Sequence, residues 1–115
     1  MSIVRHEPGP ILSLAVENGN TVYLAGIVPK DLTQDIKGQT RQVLAEIDRL
    51  LAKCGTDKSK LLQATIWLQD IRVVDEFNKV WDAWVVAGNT PARACIEARL
   101  QSPAKMIEIQ VTAAR

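Results

Sequence analysis

The amino-acid sequence predicts an α/β (α+β) domain in which two helices cover one face of a β-sheet. Five short segments alternate apolar and polar side chains at period two, as half-buried strands do. Two longer segments carry apolar side chains at spacings of three and four, which indicates amphipathic helices. The predicted order is β-β-α-β-α-β-β. Residues 1–115 are enough for one domain with one hydrophobic core and too few for two.

The first two predicted strands form a hairpin. Residues 11–17 alternate, and their aliphatic face consists of Leu12, Leu14 and Val16. Asn18-Gly19-Asn20 follows as a turn, because Asn and Gly tolerate positive φ. Residues 21–25 then make the second strand of the pair, and Gly26 ends it.

Two segments predict helices that each end near a glycine. The first runs from about Thr33 to Cys54, and its apolar stripe comprises Ile36, Val43, Leu44, Ile47, Leu50, Leu51 and Cys54. The second runs from about Val74 to Ala87, with a stripe of Phe77, Val80, Trp81, Trp84 and Val85. Gly55 and Gly88 stand where C-terminal cap glycines belong.

Three further strands are predicted at residues 61–69, 92–100 and 106–114. Each has one small or aliphatic face, formed in turn by Leu62, Ala64, Ile66 and Leu68, by Ala92, Ala94, Ile96, Ala98 and Leu100, and by Ile107, Ile109, Val111 and Ala113. We expect the two helices to cover these faces. The opposite face mixes apolar and charged groups, so we expect a partner subunit to cover it. The residues predicted on this face are Tyr23, Ala25, Trp67, Arg93, Cys95, Met106 and Glu108.

Composition and charge narrow the classes of function. The formal net charge is +1, which does not favour a nucleic-acid or membrane-surface partner. No window approaches the length of a membrane span, and the N-terminus lacks a secretion signal, so we expect a cytoplasmic protein. With one histidine, His6, and two distant cysteines, Cys54 and Cys95, no zinc-ligand spacing is available along the sequence. We therefore predict no metal site and no disulfide.

Arg93 and Glu108 are the candidate residues for substrate binding and catalysis. Their strands are expected to pair, which would place both side chains on one sheet face. Arginine fits a carboxylate with two parallel hydrogen bonds, and a nearby glutamate can hold a water molecule or move a proton. The structural alternative is a cross-strand ion pair. Cys95 shares this face, but without a neighbouring base it is read as a packed thiol.

Several segments resemble the reactive-intermediate deaminase family, called RidA or YjgF. Thr90-Pro91-Ala92-Arg93-Ala94-Cys95-Ile96-Glu97 is similar to the family signature, and Met106-Ile107-Glu108-Ile109 is similar to its terminal strand. Gly26 to Pro29, the run Gln39-Thr40-Arg41-Gln42 and Asn78 also match in order. The run from Trp81 to Gly88 looks closest to the small YoaB-type branch.

The resemblance implies a chorismate-mutase-like fold and a homotrimer with pockets between subunits. It implies hydrolysis of reactive enamines or imines to 2-keto acids and ammonia, without a cofactor. Carried over by position, Arg93 would hold the substrate carboxylate and Glu108 would position or activate the water. The same carry-over assigns substrate contacts to Cys95, Gly26 and Asn78.

The chain departs from the family pattern at two pocket positions. Ala25 replaces the family's serine, and Ile27 replaces its glutamine. No aromatic residue stands near Ile11 or Leu12, where the family has one. A missing hydroxyl removes a hydrogen-bond donor, which can change specificity by a few kcal/mol.

Three functions follow from these residues. The first is an imine or enamine deaminase acting on a small carboxylate-bearing metabolite. The second is a non-catalytic binder or sensor of such metabolites, which the apolar Ala25 and Ile27 favour. The third is the endoribonuclease activity after which the L-PSP family is named; the net charge of +1 disfavours it.

Overall fold

A mixed six-stranded sheet carries two α-helices on one of its faces. The computed structural model describes residues 2–115. The strands are β1 (Ile3–Pro8), β2 (Ser13–Asn18), β3 (Thr21–Leu24), β4 (Leu61–Leu68), β5 (Ala92–Glu97) and β6 (Ile107–Ala114), and the helices are α1 (Ile36–Lys53) and α2 (Val74–Trp84). This architecture confirms the predicted α+β class. Within residues 2–115, no helix combines the length and apolar character needed to cross a membrane.

The strand order across the sheet is β1-β2-β3-β6-β4-β5. β4 and β5 are parallel neighbours joined through α2, and every other adjacent pair is antiparallel. The expectation that the two strands carrying Arg93 and Glu108 pair with each other is wrong, since β4 lies between β5 and β6. The reason is topological: a strand–helix–strand unit places β5 beside the strand that precedes its helix.

The predicted order lacked one strand. β1 pairs with β2 at the edge of the sheet, and five of its six residues are exposed. Its side chains therefore show no alternation of apolar and polar residues. The strand forms through backbone hydrogen bonds to its neighbour, which side-chain periodicity does not report.

The helices are shorter than predicted. α1 begins after Asp35, whose carboxylate accepts a hydrogen bond from the Gly38 N–H at 2.9 Å and caps the helix. Gly55 follows its C-terminus with φ of +75°, which confirms the predicted cap. α2 stops at Trp84 because Val85 is extended, so Gly88, which adopts positive φ in the following turn, does not cap it.

The predicted apolar stripes form the core, but three strands differ from expectation. The seven stripe residues of α1 and Phe77, Val80 and Trp81 of α2 are buried.

On β2, Ala15 and Glu17 face the helices instead of Leu14 and Val16. On β5, the helix face carries Arg93, Cys95 and Glu97, whose β4 neighbours are the buried Ala64, Ile66 and Leu68. On β4, an irregularity between Leu61 and Gln63 buries Leu61 and leaves Leu62 half exposed.

A buried amide fixes the chain that leads into β6. Gln39 of α1 is fully buried; its Nε2 donates to the carbonyl of Ala104 at 3.0 Å, and its Oε1 accepts from the N–H of Met106 at 2.9 Å. Nε2 also donates to the Gln34 carbonyl at 3.1 Å. Because Glu108 follows two residues after Met106, this amide sets the position at which β6 begins.

Replacing Gln39 with leucine should destabilise the protein by about 2–4 kcal/mol, since a buried group that loses its partner costs roughly 1–3 kcal/mol. The Met106 N–H is the group most affected. Urea unfolding at a fixed protein concentration measures the change in the free energy of unfolding. Gln63→Leu serves as the control, because Gln63 is exposed. Equal stability of the two variants would contradict this role for Gln39.

Candidate functional site

Arg93 lies on the edge strand β5, on the helix side of the sheet. Its Nη1 donates to the Asn78 Oδ1 at 2.9 Å. Its guanidinium carbon lies 5.6 Å from the Phe77 ring centroid and 5.4 Å from the Trp81 ring centroid, within the range of cation–π attraction. Among residues 2–115, no carboxylate pairs with it. The guanidinium is thus oriented by its own chain but still presents unused donors.

Asn78 accounts for much of this orientation. It follows the buried Phe77 on α2, so its side chain stands at the rim of the helix layer, where Arg93 reaches it. The family resemblance implied a substrate contact for Asn78, which stays a prediction. In the single chain its Oδ1 accepts a hydrogen bond from Arg93 and so orients the guanidinium. The spacing of residues along the sequence predicted neither the hydrogen bond between Asn78 and Arg93 nor the contact of the Arg93 guanidinium with the Trp81 ring.

Cys95 lies beside Arg93 on the same face of β5. The residue is half-buried, and burial raises the pKa of its thiol, an effect that the Arg93 guanidinium partly offsets. The thiol is therefore protonated at neutral pH and is a poor nucleophile. This supports the expected packing role over covalent chemistry.

Glu108 lies on the opposite, open face of the sheet. It neighbours Trp67 of β4, and the two side chains line a shallow groove of about 470 Å³ together with residues 98–101. Gly26 lies against it: a Cβ atom at position 26 would stand 3.0 Å from the Glu108 Cδ and would overlap Oε2. The absence of a side chain at Gly26 therefore makes room for the carboxylate.

Ile27 has a different location from the one that the family pattern suggested. Its backbone exchanges hydrogen bonds with Ile109 at 2.8 and 3.0 Å, and its side chain is only 5% exposed. It packs in the core on the helix side, away from the Glu108 carboxylate. Ala25 is half-buried, and its N–H donates to the Leu14 carbonyl at 2.9 Å.

Arg93 and Glu108 do not form one site within a single chain. The prediction that they project from the same face is wrong, because Arg93 is in register with the core residue Ala64, whereas Glu108 is in register with Trp67 on the open side. Their strands are also two positions apart, which corresponds to roughly 10 Å across the sheet. Two other surface cavities, of about 810 and 630 Å³, are lined by neither Arg93 nor Glu108.

The open face also carries exposed apolar side chains. Tyr23 of β3 is 46% exposed and Ile96 of β5 is 48% exposed, and Ala92 and Ala94 lie beside Ile96 in the same exposed strand. Large apolar groups on a flat sheet face are typical of surfaces that bind another protein chain. Glu108 and its groove open onto this face.

Comparison with known proteins places the chain in a family. The family model described as Endoribonuclease L-PSP matches residues 5–115. The RutC family protein YoaB of Escherichia coli K12 is 44% identical over 114 residues, which is 99% of both chains. The chain belongs to the YjgF/RidA family. The family resemblance read from the sequence is thereby confirmed.

Other RidA-family members are similar over most of their length. A RutC family protein from Haemophilus ducreyi is 50% identical over 101 residues, covering 88% of this chain and 86% of its own. The crystal structure of a YjgF-family protein from Neisseria meningitidis is 47% identical and superposes with a TM-score of 0.97, covering 100% of this chain and 96% of the other. The fold is thus that of YjgF proteins.

Proposed function

We propose that this RidA-family chain hydrolyses small, reactive 2-imino and enamine acids to 2-keto acids and ammonia, as a homotrimer and without a cofactor. The observation that carries the proposal is the guanidinium of Arg93, which Asn78 and two aromatic rings orient and which no acid of residues 2–115 neutralises. Such a group binds a substrate carboxylate through two parallel hydrogen bonds.

The placement of the two key side chains supports a site shared between copies of the chain. Arg93 stands at the sheet edge on the helix side, whereas Glu108 opens onto the uncovered face. In the closed ring of three copies that we propose, the edge strand of one chain packs against the open face of the next. Each of three equivalent sites then combines Arg93 of one chain with Glu108 of its neighbour, and the exposed Tyr23 and Ile96 become buried.

The reaction needs only the substrate and one water molecule. Arg93 holds the carboxylate, and Glu108 accepts a hydrogen bond from water and directs its oxygen at the carbon of the C=N bond. An enamine first gains a proton at carbon and loses one from nitrogen, which gives the imine. Water adds to the imine carbon, a proton moves to nitrogen, the C–N bond breaks, and ammonia leaves. The carbon retains the oxygen as the ketone of a 2-keto acid.

The test is the release of ammonia from an imino acid generated in the assay by a separate enzyme. Wild-type protein should accelerate release beyond the spontaneous rate, and a variant with both Arg93→Ala and Glu108→Gln should not. Circular dichroism confirms that the double variant folds. If the folded wild-type protein failed to accelerate ammonia release from several small imino acids, the proposal would be refuted.

Replacing Gly26 with alanine should lower kcat by about 100-fold, the order of effect that a misplacement of about 1 Å produces. The added methyl group would displace the Glu108 carboxylate. The melting temperature should change little, because the backbone of Gly26 is not in the left-handed region. Steady-state kinetics and thermal denaturation measure the two effects.

Gly9→Ala is the matched control. A Cβ atom at Gly9 would meet only the Leu12 carbonyl oxygen, at 3.4 Å, and Gly9 also lacks positive φ. We expect normal kcat for this variant. If Gly26→Ala also retained normal kcat, Glu108 would not act from the position seen in the structure.

A second candidate function is that of a non-catalytic binder of 2-keto acids. Ala25, at the position where the family has serine, offers no hydroxyl next to Gly26, the residue that lies against Glu108, and this favours binding over turnover. Calorimetry with pyruvate, combined with the ammonia assay, separates the two functions: binding without turnover supports a sensor. Cleavage of RNA that depends on Arg93 would instead support the activity for which the L-PSP family is named.

A further inference from the structure

Three potential metal ligands meet at the sheet edge farthest from β5. His6 lies on β1, Glu17 on β2, and Cys54 directly follows the C-terminus of α1. One imidazole nitrogen, one carboxylate oxygen and the sulfur all lie within 4.8 Å of one another. The sequence spacing that argued against a zinc site does not apply here, because pairing of β1 with β2 brings together residues 11 positions apart, and α1 adds the third.

The donor set points to a particular class of ion. Nitrogen, oxygen and sulfur donors together suit zinc and similar first-row divalent ions, whereas calcium and magnesium prefer oxygen alone. A tetrahedral zinc ion with bonds of about 2.0–2.3 Å holds its ligands roughly 3.3–3.8 Å apart. The His6 Nε2 and Glu17 Oε2 are 2.5 Å apart and would separate by about 1 Å.

The surroundings allow an ion to reach these ligands and to be held there. Cys54 is 3% exposed, but the side chain of His6 is 16% exposed and opens the cluster to solvent. Glu17 also lines a surface cavity of about 340 Å³. Its other oxygen accepts a hydrogen bond from Arg115, an outer partner of the kind that orients metal-bound carboxylates.

We propose that His6, Glu17 and Cys54 bind one zinc ion per chain, with water as the fourth ligand. Binding replaces the hydrogen bond between His6 and Glu17. The proton on the His6 Nε2 moves to Nδ1 or to solvent, and the thiol proton of Cys54 leaves to solvent, so the ion meets a free imidazole nitrogen and a thiolate. The ion ties β1, β2 and the end of α1 together. The site lies at the opposite edge of the sheet from Arg93 and takes no part in the proposed deamination.

Cobalt(II) titration of the chelator-treated full chain tests the site, because a cobalt–thiolate bond gives a near-ultraviolet charge-transfer band. We expect the band at one equivalent per chain, its displacement by zinc, and a rise in melting temperature with zinc. Cys54→Ala should lose all three effects. Cys95→Ala, which removes the other thiol, should keep them.

His6→Gln provides a second variant at a partly exposed position, in case Cys54→Ala is unstable. Loss of even an outer partner weakens metal binding roughly 10–100-fold, so loss of this ligand should weaken zinc binding by at least about 100-fold. Absence of the thiolate band in wild type, or its persistence in Cys54→Ala, would overturn the proposal. So would zinc affinity that His6→Gln leaves unchanged.

Discussion

Arg93→Ala should lower kcat/KM for a 2-imino acid by about 10²- to 10⁴-fold. Each hydrogen bond between a charged donor and a carboxylate contributes about 1.5–3 kcal/mol, and the guanidinium offers two of them. The sum of about 3–6 kcal/mol corresponds to this range at 1.36 kcal/mol per tenfold change in rate. Initial rates of ammonia release at several substrate concentrations measure it.

Two further substitutions serve as the comparison and the control for Arg93→Ala. Arg93→Lys keeps the charge but not the planar pair of donors, so its kcat/KM should fall between wild type and Arg93→Ala. Arg72→Ala removes another exposed arginine, one already paired with Asp70 at 2.8 Å, and should behave as wild type. Wild-type kinetics in a folded Arg93→Ala protein would remove the basis of the proposed function.

Mixing two inactive variants should restore activity. In a trimer whose sites take Arg93 from one chain and Glu108 from the next, a mixed assembly of Arg93→Ala and Glu108→Gln chains contains one intact site among its three. Co-expression with two affinity tags, followed by purification on both, isolates the mixed trimers. They should show about one-third of wild-type activity, whereas each variant alone is nearly inactive.

This expectation depends on the geometry of the single chain. If both side chains served the same site from the same chain, every site in the mixed assembly would lack one of them. The mixed assembly would then be as inactive as either variant alone. Sedimentation of the mixed sample, together with the activity of each parent variant, distinguishes failure to assemble from failure of the shared site.

Side-chain periodicity predicted those parts of the fold in which burial is one-sided. The stripes of α1 and the alternation of Ile107, Ile109 and Val111 on β6 correspond to the observed core. It failed on β2, where both faces carry apolar groups and the smaller residue, Ala15, packs beneath the helices. It also failed for β1, because an exposed edge strand has no apolar pattern to read.

The candidate site was predictable in its residue types but not in its assembly. Arg93 and Glu108 could be selected from the sequence because their chemistry suits a carboxylate substrate. Their relative placement depends on β4 lying between β5 and β6, and strand order is a long-range property that local pattern does not encode. The contact between Asn78 and Arg93 likewise exists only after α2 packs over the sheet.

The locations of Arg93 and Glu108 keep the candidate site apart from the hydrophobic core. Both side chains stand outside the buried layer that the helices and sheet share, one at an edge and one on the uncovered face. Ala25, which stands where the family has serine, is likewise only half-buried. We therefore expect substitutions at such positions to change the preference for small metabolites more than they change the free energy of unfolding.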